Sequence, residues 1–81
     1  MITAKQMKAA RALLGLDQQA LAQAAGVSLP TIRRMEASAD NVRANVDTLV
    51  KVVQALEQAG LELIAQGTAS AQGGRGVRLR T

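Results

Sequence analysis

The sequence predicts a mainly α fold: one compact domain of four helices, followed by a short C-terminal β-hairpin or pair of β-strands. The first observation is composition, because Ala and Leu make up 26 of the 81 residues and both favour helix. The second is that apolar residues recur every three or four positions in four segments, each preceded by a residue that can cap a helix. The third is that the apolar period changes to two beyond residue 60.

The first helix is predicted over residues 4–14. Thr3 is a suitable N-cap, and the apolar residues that follow it share one face: Met7, Ala10 and Leu14. Gly15 is placed to end the helix in a left-handed conformation.

Two short helices are predicted next. Asp17 caps a helix over residues 18–25, and Ser28 caps a third helix that reaches about Ala37. Pro30 is tolerated in the first turn of the third helix, because amides there need no acceptor within the helix.

The fourth helix has the clearest apolar stripe. Residues 38–45 mix cap and turn formers and are predicted as a loop, with Asn45 capping the helix and Gly60 stopping it. We interpret the stripe as core, and the alternative is an exposed dimer seam: Val46, Leu49, Val50, Val53 and Leu56. Val52 lies off the stripe, and an apolar residue there indicates a dimer seam.

Residues 61–81 are predicted as a strand pair or tail and as a candidate dimerisation element, after a helical domain over residues 1–60. Leu61 and Leu63 alternate with Glu62, and Val77 and Leu79 alternate with two arginines. We therefore predict that residues 61–65 pair with residues 76–80, either within the chain or across a twofold axis. Residues 66–75 are mostly small and polar and are predicted to be mobile. The alternative is a frayed basic tail. Both versions leave three arginines to attract phosphates: Arg75, Arg78 and Arg80.

The composition excludes several functional classes. The chain has no Cys and no His, which removes the usual nucleophile, general base and metal ligands, so we expect no enzyme activity, cofactor or metal. It has no aromatic residue and thus no platform on which single-stranded nucleic acid can stack, so we do not expect that ligand. We find no signal peptide or membrane-spanning run, and we expect a cytoplasmic protein.

Residues 18–37 form a unit of two short helices joined by a tight turn. Three positions in such a unit have steric duties: Ala22 is small where the helices cross, Gly26 permits positive φ, and Ile32 fills the wedge between them. The rest of the apolar lining is Leu21, Ala25, Val27 and Met35.

The chain resembles the phage-repressor type of helix-turn-helix, the Cro-repressor or XRE-like family of DNA-binding proteins. The resemblance covers about residues 3–59 and is carried by Gly15-Leu16-Asp17-Gln18, Leu21-Ala22, Gly26-Val27-Ser28, Thr31-Ile32 and Glu36. It implies a lambda-repressor-like domain in which the third helix, residues 28–37, enters the major groove of double-stranded DNA.

The resemblance also implies which residues contact DNA. The positions that read bases are Leu29, Pro30, Arg33 and Arg34, and those that contact the backbone are Gln18, Ser28, Thr31, Asn41 and Arg43. Leu29 and Pro30 depart from the family pattern, because neither side chain can donate a hydrogen bond to a base edge. Arg34 is therefore the best candidate to read a guanine, whereas Arg33 is as suited to a phosphate. For Gln18, Asn41 and Arg43 the alternative is an ordinary solvated polar residue.

Arg11 and Glu36 are predicted to form a structural ion pair, because the resemblance implies that residues at the matching positions form one in some relatives.

Residues 1–45 carry a net charge of +3, residues 46–66 of −2 and residues 67–81 of +3. The fourth helix is therefore expected to face away from DNA.

The function predicted from these features is a sequence-specific, homodimeric transcriptional regulator, such as a repressor, that acts by occupying an operator. One alternative is the DNA-binding antitoxin of a toxin–antitoxin pair, with a protein toxin as a second partner. Another is a protein-interaction module that has lost DNA binding, which the apolar pair Leu29 and Pro30 favours.

Overall fold

Four helices and a two-stranded sheet make up the computed structural model, which describes residues 2–39, 42, 44–64 and 76–79. The elements in chain order are α1 (Ala4–Leu14), α2 (Gln18–Ala25), α3 (Leu29–Glu36), α4 (Val46–Gln58), β1 (Leu61–Ile64) and β2 (Gly76–Leu79). The predicted fold class is confirmed. The predicted mobility of residues 66–75 lies outside the described residues.

Each helix begins at a side chain that accepts a hydrogen bond from an amide of the first turn, and all four predicted N-caps are confirmed. The shortest of these bonds runs from the Ala20 amide to Asp17 Oδ1, at 2.7 Å. In α1 the cap is reciprocal: Thr3 Oγ1 accepts from the Gln6 amide at 3.1 Å, and Gln6 Oε1 accepts from the Thr3 amide at 2.9 Å. This pair of bonds satisfies two amides that a helix start otherwise leaves without partners.

Two glycines end α1 and α2 in the same way. Gly15 and Gly26 adopt left-handed φ values of 69° and 71°, which glycine tolerates at the least cost. The residue after each glycine then donates its amide back into the last turn of the helix, as Val27 does to the Ala22 carbonyl at 3.0 Å. The turn between α2 and α3 is thereby closed.

The buried face of α4 differs from the predicted one. Val46 is 69% exposed and Val50 is 38% exposed, so their assignment to the core is wrong. Val52 is fully buried, so its assignment to a dimer seam is also wrong. Seven of the first eleven residues of α4 are apolar, and they form two overlapping stripes. Packing against α2 and β1 buries the stripe that contains Val52 and Leu56.

The two strands pair antiparallel within the chain, with Leu61 opposite Leu79 and Leu63 opposite Val77. The hairpin packs against α1 and α4. Leu61 is fully buried in the core, and Leu63 and Val77 pack against it. For the described strand residues, pairing within the chain replaces the alternative of a frayed tail.

Two polar contacts join the first residues of the chain to segments distant in sequence. Gln6 Nε2 donates to the Gly76 carbonyl at 3.1 Å, so the residue that completes the α1 capping box also holds β2. The Val42 amide donates to the Ile2 carbonyl at 2.9 Å, and the Val42 side chain is buried. Neither contact was predicted, because each joins segments that are distant in sequence.

Candidate nucleic-acid interface

The helices α2 and α3 pack as the predicted two-helix unit. Ala22 and Ile32 are buried between the helices and the rest of the core, and Gly26 has the positive φ that the turn requires. The three steric requirements predicted from the sequence are therefore satisfied. Because Ile32 and Met35 are fully buried, the opposite side of α3 is held facing solvent.

The solvent side of α3 is where the predicted base-reading residues lie. Pro30, Arg33 and Arg34 are exposed, and Leu29 is half-buried. At about 100° per residue, Pro30 and Arg34 lie opposite the buried side, and Arg33 lies beside them. The structure therefore directs Arg34 outward from the middle of the exposed face and Arg33 from its flank.

Neither arginine is engaged elsewhere in the part of the chain that the structure describes. The two ion pairs found among the described residues are Arg11 with Glu36 and Arg78 with Glu62, so the guanidinium groups of Arg33 and Arg34 form none. Both groups retain their donors for an external acceptor. A guanidinium presents donors in a planar fork that fits the O6 and N7 atoms of guanine or two phosphate oxygens.

Ser28 and Thr31 form a hydroxyl pair at the start of α3. Ser28 Oγ accepts from the Thr31 amide at 3.2 Å and lies 2.8 Å from Thr31 Oγ1. One hydroxyl donates to the other, so whichever accepts keeps its own proton for an outside acceptor. The pair can therefore offer one donor to a phosphate oxygen.

A polar cluster behind α3 fixes its far end. Arg11 Nε donates to Glu36 Oε2 at 2.7 Å, and Arg11 Nη2 donates to Glu36 Oε1 at 2.8 Å. The Glu36 side chain is 3% exposed and that of Arg11 is 20% exposed. Arg11 Nη1 also donates to the Leu16 carbonyl at 3.2 Å. The bidentate pair thus joins α1, the loop after it and the end of α3.

Gln18 is the third member of this cluster, since its Nε2 donates to Glu36 Oε1 at 3.1 Å. Gln18, which the sequence predicts to contact a DNA phosphate, therefore donates to a carboxylate in this structure. An amide nitrogen carries two protons, so one remains for a phosphate. The Gln18 contact has no sequence signal, because it depends on how α1, α2 and α3 meet.

The cluster shifts the ionisation of both charged groups. Burial raises the pKa of Glu36, but hydrogen bonds from Arg11 and Gln18 and the charges of Arg11 and Lys8 outweigh it, so this pKa lies below its usual value. The hydrogen bond to Glu36 raises the pKa of Arg11. Both groups are therefore charged at neutral pH.

The last two predicted backbone contacts, Asn41 and Arg43, lie outside the described residues, as do Arg75 and Arg80 of the tail. Arg78 is described and exposed, and its Nη2 lies 2.7 Å from Glu62 Oε1 on the opposite strand. That guanidinium is thus partly engaged within the hairpin.

The packing of α2 and α3 around the turn at Gly26 defines a domain of the helix-turn-helix class. A family model described as helix-turn-helix matches residues 7–63, and the chain belongs to this XRE-like helix-turn-helix family. Membership of this family supports the general assignment of the chain as a DNA-binding regulator. No curated protein matches the chain. Among the helices of the described segments, none is both long and apolar enough to cross a bilayer.

Proposed function

We propose that this protein is a sequence-specific transcriptional regulator that binds double-stranded DNA as a homodimer and acts by occupying an operator. The observation that carries the proposal is the outer face of α3, where Arg33 and Arg34 are exposed and without ion-pair partners among the described residues. The packing of Ile32 and Met35 and the Arg11–Glu36–Gln18 cluster hold this face rigid. A rigid, basic helix face suits the major groove.

The roles on this face follow from position. Arg34, at its centre, is proposed to read a guanine, and Arg33, at its flank, to contact a phosphate. Pro30 lies between them and can contact a thymine methyl group or a sugar. The Ser28–Thr31 hydroxyl pair and the second amide proton of Gln18 are proposed to contact the DNA backbone, as are Asn41 and Arg43.

Two copies are needed because one recognition helix covers only a few base pairs. A twofold dimer on duplex DNA reads two half-sites about 34 Å apart, one helical turn. The proposed operator is therefore a near-palindrome. Direct readout at few base pairs predicts that sequence preference is modest relative to the affinity for any duplex.

Selection of bound duplexes from a random pool, at a low and a moderate salt concentration, tests the proposal. The expected result is a palindromic consensus with a guanine in each half-site, and it should sharpen at the higher salt because non-specific phosphate binding weakens. Recovery of unselected sequences at both concentrations would overturn the proposal of sequence-specific binding. Failure to retain any duplex would instead favour a protein-interaction module, for which the exposed Pro30 is the supporting feature.

A further inference from the structure

The outer face of α4 carries the most exposed large apolar residue among those described, Val46, 69% exposed, and one turn later Val50, 38% exposed. Val53, a further turn along, is half-buried and packs against the core. These residues lie at positions i, i+4 and i+7, so they form one continuous apolar ridge. We call Val46, Val50 and Val53 the α4 ridge.

Two opposite charges lie along one side of the ridge. Asp47 and Lys51 are exposed and stand one turn apart on α4, in the order in which an acid and a base support a helix. They form no ion pair with each other or with another described residue. An apolar ridge beside one acid and one base is a surface that can be complementary to itself.

We propose that the α4 ridge is the contact between two copies of this chain, packed antiparallel about a twofold axis. In a twofold contact, if residue i faces residue j of the other copy, then j faces i. An axis that passes near the first two turns of α4 therefore places Asp47 of each copy opposite Lys51 of the other. The ridges meet beneath these two ion pairs, and the apolar surface of Val46 and Val50 leaves water.

The ridge is preformed, which favours its use as a contact. The Thr48 amide donates to Asn45 Oδ1 at 2.8 Å, so the first turn of α4 is capped. Val52 and Leu56, elsewhere on the helix, are fully buried, so the helix cannot rotate to bury the ridge without exposing them. The same surface of a second copy covers the apolar ridge and supplies a partner of opposite charge for both Asp47 and Lys51.

The contact is expected to be weak without DNA. A single pair of helices buries less than the roughly 800 Å² per partner that is usual in stable complexes. Two copies held on adjacent half-sites have a high effective concentration, so the same contact makes DNA binding cooperative. This use rests on the proposed function, but the contact itself is testable without DNA.

The test is sedimentation equilibrium of the full chain, without DNA, up to about 1 mM, a concentration that reveals a dimer with a dissociation constant of about 1 mM. The wild type is expected to dimerise. D47K places two lysines against two lysines, and K51D places two aspartates against two aspartates, so each variant alone should dimerise at least about tenfold more weakly. An equimolar mixture of D47K and K51D restores both attractions and should form a heterodimer.

A second comparison separates apolar packing from charge. Val46→Ser should weaken the dimer, whereas Leu13→Ser, which changes a residue of α1 that is 46% exposed, should leave it intact. Circular dichroism checks that every variant is folded. A wild type that stays monomeric, or single charge variants that dimerise as well as the wild type, would overturn the proposed contact. Loss of DNA binding with normal dimerisation would instead count against the proposed function alone.

Discussion

Glu36 accepts hydrogen bonds from two other elements, and this single carboxylate fixes the end of α3 relative to α1 and α2. Its pairing with Arg11 is predictable from the sequence through the family resemblance. The bond from Gln18 is not, because a glutamine at the start of a helix has the same local sequence whether it faces solvent or a carboxylate. Residue types are thus easier to predict here than their partners.

Arg11→Met should destabilise the fold strongly, because it leaves the Glu36 carboxylate buried without its counter-ion. We expect a loss of about 3 kcal/mol in the free energy of unfolding, near the lower end of the range for buried pairs, since Arg11 retains 20% exposure. Urea denaturation measures it. The matched control is Arg78→Met, which removes the exposed pair with Glu62 and should change stability little. Similar losses in both variants would contradict a structural role for the buried pair.

The lowered pKa of Glu36 also sets a direction for the effect of acid. A carboxylate whose pKa is lower in the folded than in the unfolded chain stabilises the fold above the unfolded pKa, about 4.3, and this contribution is lost as pH falls through the lower folded value. At pH 7 the wild type should be more stable than Glu36→Gln. The difference should shrink at about pH 3, and denaturation curves at both pH values would show it. A difference that does not change with pH would contradict the assignment.

At the scale of elements, the helix starts are predictable because capping is local. Thr3, Asp17, Ser28 and Asn45 each accept a hydrogen bond from an amide three residues ahead. The rotation of α4 is not predictable in this way, because its two apolar stripes both fit a helix. The choice between them depends on α2 and β1, which lie against the side that carries Val52. The solvent side of α4 then becomes the candidate dimer surface.

The hairpin is expected to stabilise the helices that precede it. A chain that ends after Ile64 lacks β2, so it loses the apolar contact of Val77 with the core and the acceptor for Gln6 Nε2. These losses add up to about 2 kcal/mol, or roughly 8–16 °C in Tm for a domain of this size. Thermal denaturation measures the change. A chain that ends after Leu79 keeps both contacts and is the control, and equal Tm values for the two truncations would show that β2 contributes nothing.

At the scale of the whole molecule, we propose that the helical part, residues 1–60, and the C-terminal part, residues 61–81, differ in role. The buried side chain of Leu61 and the bond from Gln6 to Gly76 make the hairpin part of the same core as the helices. Alternation of apolar residues predicts the two strands, but it leaves open whether they pair within one chain. The structure pairs them within the chain, which leaves α4 as the surface we propose for the second copy.

The arrangement of surfaces is consistent with the proposed function. The outer face of α3 carries two arginines beside the apolar Pro30, whereas residues 46–66 carry a net charge of −2. Helix α4 packs on α2 and β1, so it supports the two-helix unit while its own outer face stays exposed. One side of the molecule is thus suited to phosphates and bases, and a different helix is available for the second copy.

The central claim is that the outer face of α3 reads duplex DNA, and the affinity of Arg34→Ala tests it most directly. Binding is measured on the selected duplex and on a duplex in which the predicted guanine is replaced. The variant should lose about 1–3 kcal/mol on the selected duplex and no longer distinguish the two, whereas Lys5→Ala, the same charge change on α1, should still distinguish them. Unchanged discrimination by Arg34→Ala, or an equal loss on both duplexes, would contradict the claim that Arg34 reads a base.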